Sequence, residues 1–386
     1  MAILKYLLPA LAIAGLAAGQ NSCKGPKTIK SQGDANALSS CKKFEGDLIV
    51  AADIPKGGLT LNGIQEISGS LMAKGTQNLT ALYCPELRSV GDTFFLSGAI
   101  EMRTLQCDAL TSVGSLNLEA LPNCQQLAFT KGVSNAKSIL ITNTALTSLK
   151  GISLKTVGNL DVSNNPQLME ANVDQITNIT GFVGFSANHP DLKISFPKLE
   201  SALNMTFRNV SAVEIPSLKT TEGLLGFYSN YFEKIAAPNL TSTGDLVFAS
   251  NSDLKNISLP SLKTVNGAFI IANNTELQRI DGVPKLTTVF GALDFTGNIS
   301  KVDLPSLKEV SGELNLQTTQ KFDCDALKAQ VGSVGDFVCK EQEENPQTGT
   351  TTTSGQKPKP SNAGALSPPS GIAMLVLIGG LLTFAL

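Results

Sequence analysis

Few residue types in this 386-residue chain are suited to catalysis or metal binding. There is a single histidine, His189, which excludes metal sites that need two or more histidine ligands. His189 lies in the stretch SANHPD, which is typical of a solvent-exposed turn. The Gly-x-Ser-x-Gly motif of serine hydrolases does not occur. We therefore predict that the chain has no catalytic residues, no metal and no cofactor.

Carboxylates are the remaining candidates for catalysis, because cleavage of a glycosidic bond needs two carboxyl groups about 5–10 Å apart. The acidic residues at outward positions of the repeated strand defined below are Asp161 and Asp294, which lie six repeats apart. At about 4.8 Å per repeat, they are separated by roughly 29 Å. Asp92, Asp245 and Glu313 adjoin glycine corners and are interpreted as turn residues. The sequence therefore predicts a protein that is not an enzyme.

Four of the seven cysteines lie outside the repeated part of the chain. Cys23 and Cys41 precede the first repeat, and Cys324 and Cys339 follow the last. Disulfides are expected in a secreted chain, and neither pair has the Cys-x-x-Cys spacing of a zinc site. We predict one disulfide in each cap, each stabilising the fold by roughly 3 kcal/mol.

The other three cysteines lie within the repeats. Cys84 and Cys107 begin the equivalent segments CPELRSVG and CDALTSVG in successive repeats. They are therefore expected to stack on neighbouring coils, either as a disulfide or as two buried thiols. Cys124 is left without a partner and is predicted to be buried and free.

N-glycosylation motifs of the form Asn-x-Ser/Thr occur eight times, and seven of them lie in the C-terminal half of the repeats. A single motif is a weak signal, but eight in a secreted chain predict a heavily glycosylated ectodomain. The acceptor residues are Asn78, Asn178, Asn204, Asn209, Asn239, Asn256, Asn273 and Asn298.

Both ends of the chain have the features of targeting segments. Residues 1–19 combine Lys5, an apolar run and the small-residue exit AAG, which predicts a secretory signal peptide rather than a buried helix. The apolar run 372–386 is about 15 residues long, shorter than the ~20 residues of a membrane span. Because the small residues of Asn362-Ala363-Gly364 precede it, we predict GPI attachment at Asn362 and removal of residues 363–386. A tail-anchored helix is the alternative, and the signal peptide argues against it.

Residues 341–362 are rich in Ser, Thr and Pro, which is typical of an O-glycosylated stalk. The ectodomain is thus predicted to span residues 20–340. The whole 386-residue chain has 30 basic and 32 acidic residues and a net charge of −2, which gives no sign of a basic surface for nucleic acid.

The ectodomain is a repeat array built on the motif Gly-x-apolar-x-apolar, with copies 20 to 24 residues apart. Alternation of apolar and other residues predicts strands, and a period of about 22 residues predicts a solenoid of stacked coils. A leucine-rich-repeat horseshoe and a squarer β-helix are both possible, and the scarcity of helix-period segments favours the β-helix. The last motif position is predicted at Val50, Ala73, Phe95, Leu118, Ile141, Val162, Phe185, Phe207, Phe227, Phe248, Ile271, Phe295 and Leu316.

These repeats, the segments NMTFRN, LGFYSN and IANNTEL, the cap cysteines and the anchor signal resemble fungal GPI-anchored cell-wall organisation proteins of the Ecm/sporulation-specific family. The resemblance implies a mainly β fold, a right-handed parallel β-solenoid of ~22-residue leucine-rich-like (receptor L-domain-like) repeats with disulfide caps. It also implies residence at the extracellular face of the plasma membrane and in the cell wall. It supplies no catalytic residue, and the additional cysteines at 84, 107 and 124 depart from the family pattern.

The predicted function is therefore that of a non-enzymatic surface glycoprotein which supports cell-wall organisation, integrity and morphogenesis as a scaffold or binding module. Its predicted partners are the plasma membrane, through a GPI lipid, and wall polysaccharide or wall and surface proteins. The alternative is a carbohydrate-binding or wall-glucan-remodelling protein, although the chain has no tryptophan to stack on sugars.

A partner-binding face is predicted from the residue between the two apolar positions of each motif, which must point away from the core. In the N-terminal repeats this residue is mostly apolar, and an exposed apolar stripe is typical of an interaction surface. The alternative is that N-terminal loops or a cap segment cover the stripe. The candidate residues are Ile49, Met72, Phe94 and Leu140.

Overall fold

The computed structural model describes residues 23–349. The predicted signal peptide, the predicted attachment site Asn362, the segment 363–386 that is predicted to be removed and the later part of the predicted stalk lie outside the described residues. Within 23–349 each repeat forms one coil, in which a short strand, a corner and a longer strand follow one another. All strand pairs are parallel, so the predicted mainly β, parallel solenoid is confirmed.

The longer strands stack from one end of the solenoid to the other and form what we call the long-strand face. Five of them bend at the corner and also contribute to the short-strand face: Ser89–Ser97, Ser112–Leu121, Asn135–Thr144, Asn178–Ser186 and Ser201–Arg208. The others are Lys27–Ile29, Leu48–Val50, Leu71–Lys74, Asn159–Ser163, Leu225–Tyr228, Leu246–Ala249, Phe269–Ala272, Leu293–Gly297, Leu314–Thr318 and Phe337–Lys340.

The remaining strands line the other two sides of the coil. The separate short strands are Lys43–Phe44, Glu66–Ile67, Thr156–Val157, Thr220–Thr221, Ser242–Thr243, Thr264–Val265, Thr288–Val289, Glu309–Val310 and Ser333–Val334. The third face contains Gly57–Thr60, Leu79–Tyr83, Thr104–Gln106, Leu127–Ala128, Lys193–Ser195, Ala212–Glu214, Lys234–Ala236, Asn256–Ser258, Arg279–Ile280 and Lys301–Val302. Within the described part of the chain, the helices Gln32–Asn36 and Cys324–Gln330 lie in the caps.

The glycine at each corner allows successive coils to approach closely. At Gly91, an added Cβ would overlap the Ser68 carbonyl oxygen, and at Gly244 it would overlap that of Gly223. A larger residue would push neighbouring coils apart, which explains why glycine opens most copies of the motif.

The core consists of apolar side chains at equivalent positions in successive coils. Phe185, Phe207, Phe227 and Phe248 are buried and stack along the axis, with neighbouring ring centroids 6.5, 5.6 and 5.0 Å apart. Stacking follows from the parallel register, because each strand places the same position beside its counterpart in the next coil. The repeated apolar position therefore provides a continuous core without tryptophan.

A buried asparagine ladder satisfies the main chain at the corner after the long strands. The Asn230 side chain donates to Asn251 Oδ1 at 2.9 Å, and Asn251 donates to Asn274 Oδ1 at 3.0 Å. The same amide groups donate to the main-chain oxygens of Phe207 and Phe227, at 3.1 Å in both cases. Buried amides are stabilising only when paired in this way.

Disulfides close both caps as predicted, joining Cys23 to Cys41 and Cys324 to Cys339. Cys84 and Cys107 are buried free thiols, so of the two alternatives for this pair the structure has the thiols and not a bridge. Cys124 is also buried and free, as predicted. No helix among residues 23–349 is long and apolar enough to cross a membrane.

Candidate interaction surface

Among the described residues, the long-strand face contains more strands than either of the other two faces. Neighbouring residues on a strand point to opposite sides, so the residue between the two core positions points outwards in every coil. Parallel register aligns these residues into what we call the central column. It contains Ile49, Met72, Phe95, Asn117, Leu140, Asp161, Gly184, Thr206, Gly226, Val247, Ile270, Asp294 and Asn315.

One of the four predicted partner-face residues is wrong. Phe94 is completely buried and pairs in register with Leu71 and Leu116, so it belongs to the core. Phe95 takes its place in the central column, and Leu96 is the core residue of that strand. The strand has one more residue after its corner than the next strand, seen as a register shift between the two. An insertion of one residue reverses which side chains face the core.

The N-terminal half of the central column is an apolar stripe that we call the apolar column. Ile49, Met72, Phe95 and Leu140 each remain partly exposed, and Asn117 interrupts the series. Residues 23–349 therefore leave these side chains accessible to solvent. A stripe of this kind suits an apolar contact with another molecule.

Two glycines in the middle of the central column are covered by aromatic rings. The Phe182 ring occupies the place where a Cβ on Gly184 would stand, and the Tyr228 ring does the same at Gly226. The Arg208 guanidinium carbon lies 3.9 Å from the centroid of the Tyr228 ring. These rings could not be predicted from the outward positions of the motif, because glycine, which has no side chain, occupies both of them.

The two acidic residues of the central column do not form a catalytic pair. Asp161 and Asp294 are six strands apart, which is roughly 29 Å at strand spacing. Burial raises the pKa of Asp161. Burial also raises the pKa of Asp294 to about 6, and nearby Glu313 adds to the rise, while donors from Asn315 and Gly349 oppose it. Glycoside hydrolysis by these two groups would need them about 5–10 Å apart.

The other polar candidates have structural roles. His189 Nδ1 accepts a hydrogen bond from the Asp191 amide at 3.1 Å, within the turn after the Asn188 ladder position. Asp245 Oδ1 accepts from the Ala268 amide at 2.8 Å and bridges two coils. Among residues 23–349, no group of three or more His, Cys, Asp or Glu residues could hold a metal ion.

The predicted glycosylation sites are unevenly placed around the coil. Of the eight acceptor asparagines, Asn204 lies on the outer surface of the long-strand face, where its Oδ1 accepts from the Leu224 amide at 2.9 Å. Asn209, Asn273 and Asn298 lie at the corner after the long strands, and Asn256 lies on the third face. The apolar column therefore carries no predicted glycan.

The C-terminal end of the central column is covered by the chain itself. Gln347 and Gly349 hydrogen-bond to Asn315, Gln317 and Asp294. Residues 345–349 belong to the predicted stalk, and sequence composition alone did not reveal that they contact the sheet.

These features define a parallel β-solenoid with disulfide-bonded ends, a broad outer sheet surface and no clustered catalytic groups among its described residues. Comparisons with known proteins place the chain more narrowly. The family described as "Ecm33: GPI-anchored cell wall organization protein" matches residues 1–39. No solved structure matches the chain.

Relatives match along nearly the whole length. The chain is 49% identical over 389 residues to a "Cell surface GPI-anchored protein" of Arthroderma benhamiae, with all of both chains covered. It is 44% identical to "Protein ecm33" of Aspergillus fumigatus, covering 92% of this chain and 91% of that one. It is 36% identical to "Cell wall protein ecm33" of Schizosaccharomyces pombe, covering 85% and 79%. The chain belongs to the Ecm33 family of GPI-anchored cell-surface and cell-wall proteins.

Proposed function

We propose that this chain is a non-enzymatic surface glycoprotein that organises the cell wall by binding a wall or surface protein through its apolar column. The relatives named above are cell-surface and cell-wall proteins, and their names describe no enzyme. The observation that carries the proposal is the stripe of Ile49, Met72, Phe95 and Leu140, which is apolar, partly exposed and free of glycosylation motifs. We further propose that GPI attachment at Asn362 holds the ectodomain at the plasma membrane.

The geometry of the stripe suits a protein partner. Interfaces between proteins are centred on apolar and aromatic side chains with polar residues at the rim. The outward neighbours of Phe95 and Leu140 on their own strands include Ser97 and Thr142, which provide such a rim. The apolar column therefore extends over several coils and has polar side chains beside it on the same strands.

The test is cross-linking on living cells with the pair Phe95→Asp and Leu140→Asp. We expect loss of the cross-linked protein partner and of wall integrity, with normal secretion, because two charges would be placed in the apolar contact. The matched control is the pair Ile100→Asp and Met169→Asp, which adds the same two charges to exposed apolar side chains outside the long strands and is expected to keep the partner. Retention of the partner by the first pair, or failure of that pair to leave the secretory pathway, would contradict the proposal.

A carbohydrate-binding or glucan-remodelling role is the second candidate, and the Arg208–Tyr228 pair supports it, together with the Phe182 ring two strands away. Half-buried aromatic rings beside a hydrogen-bond donor are the groups with which proteins contact sugars. Incubation of the secreted ectodomain with wall glucan, mannan and chitin separates the outcomes. Turnover would support remodelling, and binding that is lost in Tyr228→Ala would support a glycan-binding site.

A further inference from the structure

A segment after the last strand folds back across the outer surface of the long-strand face. The chain leaves strand Phe337–Lys340, and residues 345–349 then run over the C-terminal end of the central column. Gln347 meets the strand of Asn315, and Gly349 meets the preceding strand at Asp294. The segment, which we call the strap, thus runs along the column towards the N-terminal coils.

The sheet holds the strap through its main chain. The Gln347 amide donates to Gln317 Oε1 at 2.9 Å, and its carbonyl oxygen accepts from the Asn315 side chain at 3.0 Å. The Gly349 amide donates to Asp294 Oδ2 at 2.9 Å. Because these bonds are made to the backbone, side chains of the sheet recognise the strap as an extended peptide.

The polar groups beneath the strap form a connected and buried network. Asp294, Asn315 and Gln317 are 5%, 1% and 7% exposed, although all three lie on the outward side of a sheet. The Asn315 amide also donates to Asp294 Oδ1 at 2.8 Å, and Gln317 donates to Asn315 Oδ1 at 3.1 Å. In the N-terminal coils, by contrast, the outward residues Ile49 and Leu140 stay partly exposed. Gly349 of the strap also lies close to Glu313, because a Cβ added at Gly349 would stand 3.0 Å from Glu313 Oε2.

We propose that the strap, residues 345–349, binds reversibly to a peptide-binding site formed by the side chains of Asp294, Asn315 and Gln317. Acid favours the closed state, in which the strap covers these three side chains. The strap covers the Asp294 carboxylate without supplying a positive charge. Gln347, Gly349, Asn315 and the neighbouring Ile270 are uncharged, and the charged side chain that acts on Asp294 is the acidic Glu313.

The direction of the pH effect depends on whether Asp294 binds its proton more tightly in the closed or in the open state. Covered Asp294 has a pKa of about 6, because loss of solvent outweighs the two donated hydrogen bonds. An uncovered aspartate has a pKa near 3.9. Protons therefore bind the closed state more tightly, so closure strengthens as the pH falls from about 7 to about 4. The closing equilibrium changes by at most about 100-fold over this range, which corresponds to two pKa units.

Hydrogen–deuterium exchange on the full glycosylated protein measures this equilibrium at the amides of Gln347 and Gly349. After correction for the chemical exchange rate, we expect protection to rise several-fold to 100-fold when the pH is lowered from 7.5 to 4.5. Asp294→Asn removes the titrating group, so the corrected protection becomes independent of pH. Protection that falls in acid would overturn the proposal, and so would a pH dependence that persists in Asp294→Asn.

Two further variants separate the strap from general effects of acid. Asp161→Asn is the matched control, because Asp161 is also an outward, partly buried acid of the central column but lies six strands from the strap. It is expected to leave the pH dependence unchanged. Gln317→Ala removes one strap contact without altering Asp294, and it is expected to lower protection of Gln347 at both pH values while Phe337–Lys340 stays protected. Unchanged protection of Gln347 in Gln317→Ala would show that the site does not hold the strap.

Discussion

Individual polar residues of the solenoid, both in the buried ladder and on the outer surface, are mostly explained by contacts with neighbouring coils. Asn230, Asn251 and Asn274 pair with each other and with main-chain oxygens, and Asp245 accepts from a main-chain amide of the next coil. Asp294 differs from these residues because it is a charged group placed under cover. The protonation of Asp294 should therefore affect the free energy of unfolding, which can be measured as a function of pH.

Asp294→Asn is expected to reduce the pH dependence of the protein's stability. The pKa of Asp294 is about 6 in the native state and near 3.9 in the unfolded state, so folding takes up a proton between these values. The resulting stabilisation is complete below about pH 4 and is lost as the pH rises through about 6. This stabilisation amounts to about 2–3 kcal/mol, because the pKa of Asp294 differs by about two between the native and unfolded states.

The measurement is the unfolding temperature at pH 4 and at pH 7 for the native protein and the variant. We expect the native protein to lose more stability than Asp294→Asn on going from pH 4 to pH 7. Asp161→Asn provides the comparison, because the pKa of Asp161 is raised by burial at a site without a strap. Equal losses in the native protein and Asp294→Asn would show that Asp294 titrates at its ordinary value.

At the scale of the strand, the position of each side chain depends on the number of residues between the corner and the strand. In most coils the residue count from the glycine predicts the core positions correctly, including Val50, Leu118 and Phe227. In strand Ser89–Ser97 one additional residue moves Phe94 inwards and Phe95 outwards. Two adjacent phenylalanines satisfy an apolar pattern in either register, so the sequence alone could not choose between them.

Substituting each of these phenylalanines by aspartate tests the register directly. Phe94→Asp would bury a charge in a packed core, and we expect the protein to be retained in the secretory pathway. Phe95→Asp places the charge on a partly exposed side chain, and we expect normal secretion with a small change in unfolding temperature. Secretion of Phe94→Asp together with retention of Phe95→Asp would show that the register is reversed.

For the whole molecule, the repeat period is the property that sequence predicts best. Thirteen copies at similar spacing predict a solenoid of stacked coils, because short strands at a fixed interval bury their apolar side by stacking, and the scarcity of helix-period segments favours the β-helix over the leucine-rich-repeat horseshoe. Contacts that occur in only one coil cannot be predicted from the repeat period. The Phe182 and Tyr228 rings over glycines and the strap over Asp294 are such contacts, and the structure was needed to find them.

Seven of the eight predicted glycans lie in the C-terminal half of the repeats and only Asn78 lies in the N-terminal half, which permits a test of the apolar column. Glu119→Thr would create a new acceptor motif at Asn117, in the middle of that column. A glycan there is expected to block a protein partner over several coils, without adding a charge or altering Phe95 or Leu140.

The measurements are the electrophoretic mobility before and after enzymatic removal of N-glycans, and the yield of the cross-linked partner. We expect Glu119→Thr to gain one glycan, to be secreted and to lose the partner. Glu119→Gln changes the same residue without creating the motif, so it is expected to keep the partner. If the glycosylated variant keeps the partner in full, the apolar column is not the contact surface. Because the strap and Asn204 lie on the more C-terminal coils of the same sheet, that result would move the search for the interface to another face.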